Sequence, residues 1–370
     1  MERAIARIDL AAIERNCALL ASTVGDSVHL CAVVKADGYG HGGEACAGAA
    51  IAGGATRLAV ATATEAAEIG PCFPDVPLLT MGALAPAELD IALAAGSEVA
   101  VWHEEYRRLV AERARTAGRG PARVHVKFDS GMGRLGNRDP EAVLALIRAC
   151  AEDPDLEPAG VWTHFATADE PGSGFFDEQL GRFSEVAAAA RAEHPGITVH
   201  AANSAAVLRE EASHFDMVRC GIAVYGLDPF QADPAAHGLT PALSLSSYVA
   251  DVKRFAAGDS AGYGQTWKAG TETRVAVLPI GYGDGVRRAL SNNAEVLIGG
   301  RRHSLVGTVS MDNLTVDLGP ESEIEPGEEA VLIGRQGEEE ILAEDVAGRI
   351  GTINYEVTCG ISARVPRVRE

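Results

Sequence analysis

The sequence predicts an N-terminal (β/α)8 barrel followed by a mostly antiparallel β domain, and three observations carry that prediction. Up to about His237, short apolar or β-branched runs alternate with longer Ala-rich stretches. Strands alternating with helices imply parallel pairing through crossovers, and the number and length of the units match a closed eight-stranded barrel. Past His237, Ala thins out, and short strand-like runs are separated by turns such as Ala257-Gly258-Asp259 and Pro326-Gly327-Glu328. No low-complexity linker separates the halves, so the expected division is residues 1–238 for the barrel and 239–370 for the β domain.

The barrel strands are expected at 28–34, 57–61, 77–81, 97–102, 122–129, 158–164, 197–202 and 215–219. Several are almost continuously apolar, as strands covered on both faces are. Between them, 104–117, 141–151 and 176–193 are Ala-rich with Glu and Arg on one face, a helical pattern. In the second half, strands are expected at 243–252, 273–280, 295–298, 304–309, 314–318 and 330–333.

The 370 residues carry Lys+Arg 32 against Asp+Glu 52, a formal charge of -20. That charge repels phosphate backbones and anionic lipid, which argues against a nucleic-acid or membrane partner. No apolar run approaches the ~20 residues of a spanning helix. The first residues are charged throughout and lack a signal-peptide core, so a cytoplasmic location is expected. The seven cysteines are scattered without a C-x-x-C. They read as reduced thiols, neither a disulfide framework nor a zinc site, and no metal site is expected.

In a parallel barrel the loops after the strand C-termini carry the chemistry. Polar residues recur there: Lys35 after the first strand; Lys127, Asp129 and Arg134 after the fifth; His164; Asn203 and Ser204; then Arg219, followed by Gly221 and Ile222. Lysines are ordinarily solvated. Lys35 instead follows Cys31-Ala32-Val33-Val34 into a barrel mouth, where partial desolvation favours a neutral, nucleophilic amine suited to a Schiff base. Gly38-x-Gly40-x-x-Gly43 also fits a dinucleotide fingerprint, with Glu65 near the position of a ribose-binding acid. That reading requires an open sheet, whereas eight units favour a closed one. Taken alone, His164 reads as a hydrogen-bonded core histidine, and Arg219 also fits a structural arginine pinning the barrel mouth. Gly262-Tyr263-Gly264 and Gly281-Tyr282-Gly283 are either ordinary aromatic turns or tips presented to a partner.

The segment from Ala32 to Gly42, AVVKADGYGHG, resembles the pyridoxal-phosphate attachment signature of alanine racemases. The resemblance extends along nearly the whole chain, in order: Lys127 to Gly136, His164-Phe-Ala, Asn203-Ser204, Arg219-Cys-Gly-Ile222, Gly262-Tyr263-Gly264, Gly281-Tyr282-Gly-Asp284, Ser310-Met311-Asp312 and Asn354-Tyr355-Glu356. It implies a racemase that interconverts L- and D-alanine for peptidoglycan precursors with pyridoxal 5'-phosphate as cofactor. It also implies a homodimer with shared active sites. Lys35 would hold the cofactor as an internal aldimine. Tyr39, Asn203, Ser204, Gly221, Ile222 and Tyr355 would surround the cofactor, chiefly at its phosphate. Arg219 would face the pyridine nitrogen, supported by His164. Tyr263 of the partner subunit would be the second base. Arg134 and the Met311 backbone would bind the substrate carboxylate, and Tyr282 and Arg288 would narrow the entry. Lys127 matches a lysine carbamylated in many members. Ser130 stands where many have Thr, and it keeps the hydroxyl. Decarboxylases similar to ornithine decarboxylase share the plan but place an acid where Arg219 stands. Single-barrel pyridoxal-phosphate carriers lack the β domain.

Overall fold

The computed structural model describes residues 2–370. The chain divides into two compact units, Ile13–Val224 and a discontinuous one built from the residues up to Ala12 together with Tyr225–Glu370. The division therefore differs from the expected 1–238 and 239–370 at both ends. The chain opens with a strand, β1 (Ala4–Ile8), that pairs with strands from the far end of the sequence rather than with the barrel. Its alternation is real, with Ala4, Ala6 and Ile8 buried, but two alanines make a weak apolar signal between arginines. At the other end, the Tyr225 carbonyl accepts the Ala242 N–H and the Asp228 N–H is bonded to Glu344, which ties 225–238 to the second unit.

The first unit is a closed parallel barrel of β2 (His29–Val33), β3 (Arg57–Val60), β4 (Leu78–Thr80), β5 (Glu98–Val101), β6 (Ala122–Lys127), β7 (Leu156–Trp162), β8 (Thr198–His200) and β9 (Met217–Cys220). The β2–β9 pairing closes it. Each strand lies within two residues of its expected bounds. The helices are α1 (Leu10–Val24), α2 (Lys35–Tyr39), α3 (Gly43–Ala52), α4 (Ala63–Ile69), α5 (Pro86–Ala94), α6 (Glu104–Ala117), α7 (Pro140–Glu152), α8 (Phe175–Glu193) and α9 (Ser204–Arg209). Their ends follow local chemistry. Thr62 and Glu65 form a reciprocal capping box on α4, the His103 ring accepts the Tyr106 N–H at the start of α6, and Pro140 occupies the first turn of α7 behind the Asp139 cap. Tyr106, Val110 and Ala114 repeat on the buried face of α6, the spacing of one helical stripe.

The second unit is a ten-stranded sheet. After β1 it contains β10 (Leu243–Tyr248), β11 (Asp251–Phe255), β14 (Thr273–Leu278), β15 (Glu295–Ile298), β16 (Arg301–Val306), β17 (Leu314–Gly319), β18 (Glu329–Gln336), β19 (Glu339–Ile341) and β20 (Arg367–Arg369). A separate ribbon, β12 (Ser260–Ala261) with β13 (Trp267–Lys268), and helices α10 (Ala343–Ile350) and α11 (Asn354–Cys359) complete it. Pairing is antiparallel throughout except between β1 and β20. The single run expected at 243–252 is two strands. The chain leaves β18 at Val249, whose N–H donates to Glu328, and joins β14 from Ala250, whose N–H donates to Val277.

Candidate active site

Lys35 leaves β2 into a left-handed turn. Ala36 (φ 52), Asp37 (φ 52), Gly38 (φ 61) and Tyr39 (φ 54) are all left-handed. For residues with a Cβ this costs about 1–2 kcal/mol each, so the surroundings must hold the turn. The Gly38 and Gly40 N–H groups donate to Val34 and Ala36, and the Asp37 carboxylate accepts the Gly43 N–H at 2.7 Å. Glu65 accepts the Ala36 N–H at 2.6 Å and those of Ala61 and Thr62 at 2.9 and 3.0 Å. Glu65 therefore braces the lysine loop. Its carboxylate is committed to these amides, and the sheet is closed, so the dinucleotide reading of these glycines fails.

The Tyr39 hydroxyl lies over Gly221, where a Cβ would meet it at 2.3 Å, and Lys35 Nζ is 5.8 Å from the Tyr39 ring centre. Ser204 Oγ accepts the N–H groups of Gly221 and Ala223 at 3.0 and 3.3 Å, and Ile222 is buried beside them. Tyr39, Ser204, Gly221 and Ile222 thus come together in one cradle of hydroxyl groups and backbone. Asn203 has a local role, since its side chain caps α9 by accepting the Ala206 N–H at 3.0 Å.

Arg219, 3% exposed, donates from Nη2 to the carbonyls of Thr163 and Ala201 at 2.8 and 2.9 Å, and from Nη1 to His200 Nδ1 at 2.8 Å. His164 Nδ1 is farther, at 3.4 Å from Nη2. The expected support by His164 is thus the weakest of the four contacts, and His200 is the close partner. Burial pulls Arg219 down to about 10, still a permanent cation at neutral pH. Burial, then the Arg219 charge, hold His164 well below the ordinary range, so its ring is neutral.

Lys127, at the end of β6, is 2% exposed, with Nζ 3.9 Å over the Trp162 ring. Burial, then repulsion from Arg219 and Arg134, push its amine down to about 7. Arg134 is exposed on the following loop. Asp129 shapes that loop by accepting the N–H groups of Gly131 and Gly133 and pairing with Arg138 at 2.9 Å. Burial opposes its ionisation, but these partners outweigh burial and hold the carboxyl below its ordinary range. Arg134 and Arg219, with the Lys35 and Lys127 amines beside them, give one barrel mouth a cationic field in a chain of net charge -20. Such a mouth favours dianionic phosphate and carboxylate ligands.

The other expected residues lie in the sheet unit. Tyr263, on the β12–β13 ribbon, is 72% exposed, and its carbonyl accepts from Thr308 Oγ1 at 2.8 Å. The Tyr282 N–H donates to Ser310 and the Gly283 N–H to Met311, at 3.0 and 2.9 Å, which joins the Tyr282 and Met311 loops. Asp284, 1% exposed, accepts the Gly281 N–H and pairs with Arg3 and Arg364 to fix that junction. Among the described residues, Tyr263, Tyr282 and Met311 are three of six exposed large apolar side chains. Arg288 is exposed in a short turn, and Tyr355 is half-buried in α11.

Family models describe the same two-part plan. The alanine racemase N-terminal domain matches residues 8–229, and the alanine racemase C-terminal domain matches residues 242–369. The chain belongs to the alanine racemase family. The alanine racemase of Symbiobacterium thermophilum is 43% identical over 364 residues, 98% of this chain and 96% of that protein. The structure of alanine racemase from Streptomyces coelicolor superposes with a TM-score of 0.93 at 40% identity, covering 99% of this chain and 97% of the other. A biosynthetic alanine racemase from Pseudomonas aeruginosa matches at 0.89 with 34% identity, over 100% of both chains.

An alanine racemase is an isomerase, and the family is generally dependent on pyridoxal phosphate. The barrel mouth fits that cofactor. An amine nucleophile, a cradle of hydroxyl groups and backbone, and a cationic field suit its aldehyde and phosphate. Of Arg219's five N–H donors, three are committed, leaving Nε–H and one Nη1–H for an acceptor such as an unprotonated ring nitrogen. Several residues that build the alanine racemase mouth escaped sequence reasoning: Glu65 as brace, Trp162 between Lys127 and Arg219, and the buried His200, His125 and Glu98 behind Arg219. The signal for the last group was polar residues inside apolar strands, which have no reason to be buried unless paired.

Proposed function

We propose that the chain racemises alanine with pyridoxal 5'-phosphate held at Lys35, using Lys35 and Tyr263 of a second copy as acid–base groups on opposite faces of the substrate. The observation that carries this reading is the convergence of Lys35, Arg219 and the Tyr39–Ser204–Gly221 cradle on one cationic mouth. The bound cofactor supplies the electron sink that acidifies the substrate Cα–H. Lys35 Nζ takes or returns that proton on one face, and the Tyr263 phenol does so on the other. Neutral His164, next to Arg219, links the phenol to a fixed positive charge. Arg219 only donates hydrogen bonds, so it favours an unprotonated ring nitrogen, restrains electron withdrawal and promotes rapid return of the proton.

Arg134 and the Met311 backbone of the second copy bind the substrate carboxylate. Lys127 carries a carbamate that orients Arg134. Tyr39, Ser204, Gly221, Ile222 and Tyr355 hold the phosphate, with Asn203 ordering the Ser204 helix. Tyr282 and Arg288 line the entry. The exposure of Tyr263, Tyr282 and Met311 supports a homodimer whose sheet units complete each other's barrel mouths. We propose the barrel unit as the main cofactor-binding part, with the sheet unit supplying Tyr355 and the residues lent to the partner. The biosynthetic relative supports supply of D-alanine to peptidoglycan, and seven free thiols support a cytoplasmic location.

The deciding experiment incubates purified chain with L-alanine, with and without pyridoxal phosphate, followed by chiral amino-acid analysis. Cofactor-dependent D-alanine and a borohydride-reducible visible chromophore lost in Lys35→Ala are expected. A colourless protein that forms no D-alanine after reconstitution overturns the reading.

A further inference from the structure

Behind Arg219 a line of polar side chains runs through the barrel core. Arg219 Nη1 is 2.8 Å from His200 Nδ1, His200 Nε2 is 2.8 Å from His125 Nδ1, and His125 Nε2 is 2.6 Å from Glu98. Both histidines are 0% exposed and Glu98 5%. His125 lies on β6 and His200 on β8, so their bond passes over the intervening strand β7. It passes at Gly160, where a Cβ would stand 2.2 Å from His125 Nδ1. Trp162 stacks on His200 with ring centres 5.6 Å apart. Beyond Glu98, Arg123 and Arg57 approach its carboxylate at 2.7 and 3.2 Å.

The chemistry permits one direction of hydrogen bonding. Arginine only donates, so His200 Nδ1 accepts and its proton sits on Nε2. That N–H donates to His125 Nδ1, whose own proton sits on Nε2 and donates to Glu98. Protonating either ring would set two donors face to face. Burial, chiefly, holds both imidazoles below their ordinary range, in keeping with two neutral rings.

We propose that Glu98, His125 and His200 are positioning residues: a single-polarity relay that fixes Arg219 against the cofactor ring by anchoring it, bond by bond, to a carboxylate at the opposite end of the barrel. The proposal rests on the function proposed above, because it assumes that Arg219 faces that ring. Along the bonds the carboxylate is roughly 12 Å from the guanidinium. Arg123 and Arg57 offset that carboxylate's charge locally, so the relay acts through its hydrogen bonds, each worth about a factor of ten.

The test compares holoenzyme of wild type, Glu98→Gln, Gly160→Ala and Arg123→Gln. Glu98→Gln removes the charge, and Gly160→Ala severs the His125–His200 bond with every charge in place. Arg123→Gln removes an ion pair of Glu98 but leaves the relay intact. We expect kcat to fall about tenfold in the first two, with KM for alanine within about threefold and more transamination per racemisation. Arg123→Gln should match wild type in these readouts even where its melting temperature drops. Nitrogen-15 spectra of wild type should show Nε2-protonated neutral tautomers for both histidines at pH 7. This measurement needs no variant to fold and no activity. An imidazolium or a Nδ1-protonated tautomer at either residue overturns the relay. So do active Glu98→Gln and Gly160→Ala enzymes with wild-type kcat and product ratios. An inactive, colourless wild type with both tautomers as stated would instead refute the proposed function.

Discussion

The Lys127 amine is the group whose behaviour follows most directly from its surroundings. An ordinary lysine at pH 7.5 is neutral in about one molecule per thousand. Lys127, pushed down to about 7 by burial and then by Arg219 and Arg134, is neutral in about three quarters of molecules at that pH. The neutral amine is the form that attacks carbon dioxide, so the reactive population rises by nearly a thousandfold. The energetics point the same way. Its folded-state value lies below the unfolded value of about 10.5. The unfolded chain therefore binds more protons between those limits, and stability rises with pH from about 7 to about 10.5. Below pH 7 the penalty for the buried ammonium is fully present, at most about 5 kcal/mol. A carbamate removes the ammonium and places an anion beside Arg134 and Arg219, converting repulsion to charge-assisted pairing. Native mass spectrometry after equilibration in bicarbonate at pH 7.5 should show one added carbon dioxide per chain. It should be absent in Lys127→Ala and reduced at pH 6, where only about a tenth of the amine is neutral. The urea midpoint at pH 7.5 should rise with bicarbonate in wild type alone. No mass increment, or an increment shared by Lys127→Ala, refutes the reasoning.

Three further outcomes follow. Glu65→Ala removes the acceptor for three amides that brace a left-handed turn. The half-buried site should lose about 2–3 kcal/mol by urea unfolding, with weaker cofactor retention on dialysis, and a loss under 0.5 kcal/mol would contradict the brace. Arg219→Glu should raise the ratio of pyruvate formed to alanine racemised, measured by coupled assay and chiral analysis. An unchanged ratio rules out the account of Arg219. Equal mixing of Lys35→Ala and Tyr263→Phe chains should restore about one quarter of wild-type activity, because half the dimers would carry one intact site in two. No recovery after demonstrated subunit exchange would exclude shared sites.

The sequence by itself determined the barrel and which residues stand at its rim. Strand and helix periods differ by a factor that survives an Ala-rich composition, and parallel barrels gather polar residues at one end of each strand. Lys35, Arg219, Ser204 and the tyrosine-bearing turns were therefore legible where they stand. The first strand was not. Ala4 and Ala6 bury too little apolar surface to announce a strand whose partners lie at Leu243–Tyr248 and Arg367–Arg369, hundreds of residues away. Glu65 read as a ribose-binding acid because its spacing cannot show that its oxygens are taken by three amides. Only the tertiary structure could decide which polar groups meet in the dark interior of the barrel. Closure brings Glu98, His125, His200 and Arg219 within bonding distance across strands β5, β6, β8 and β9. Once water is excluded, each must find its partner there or be unaffordable.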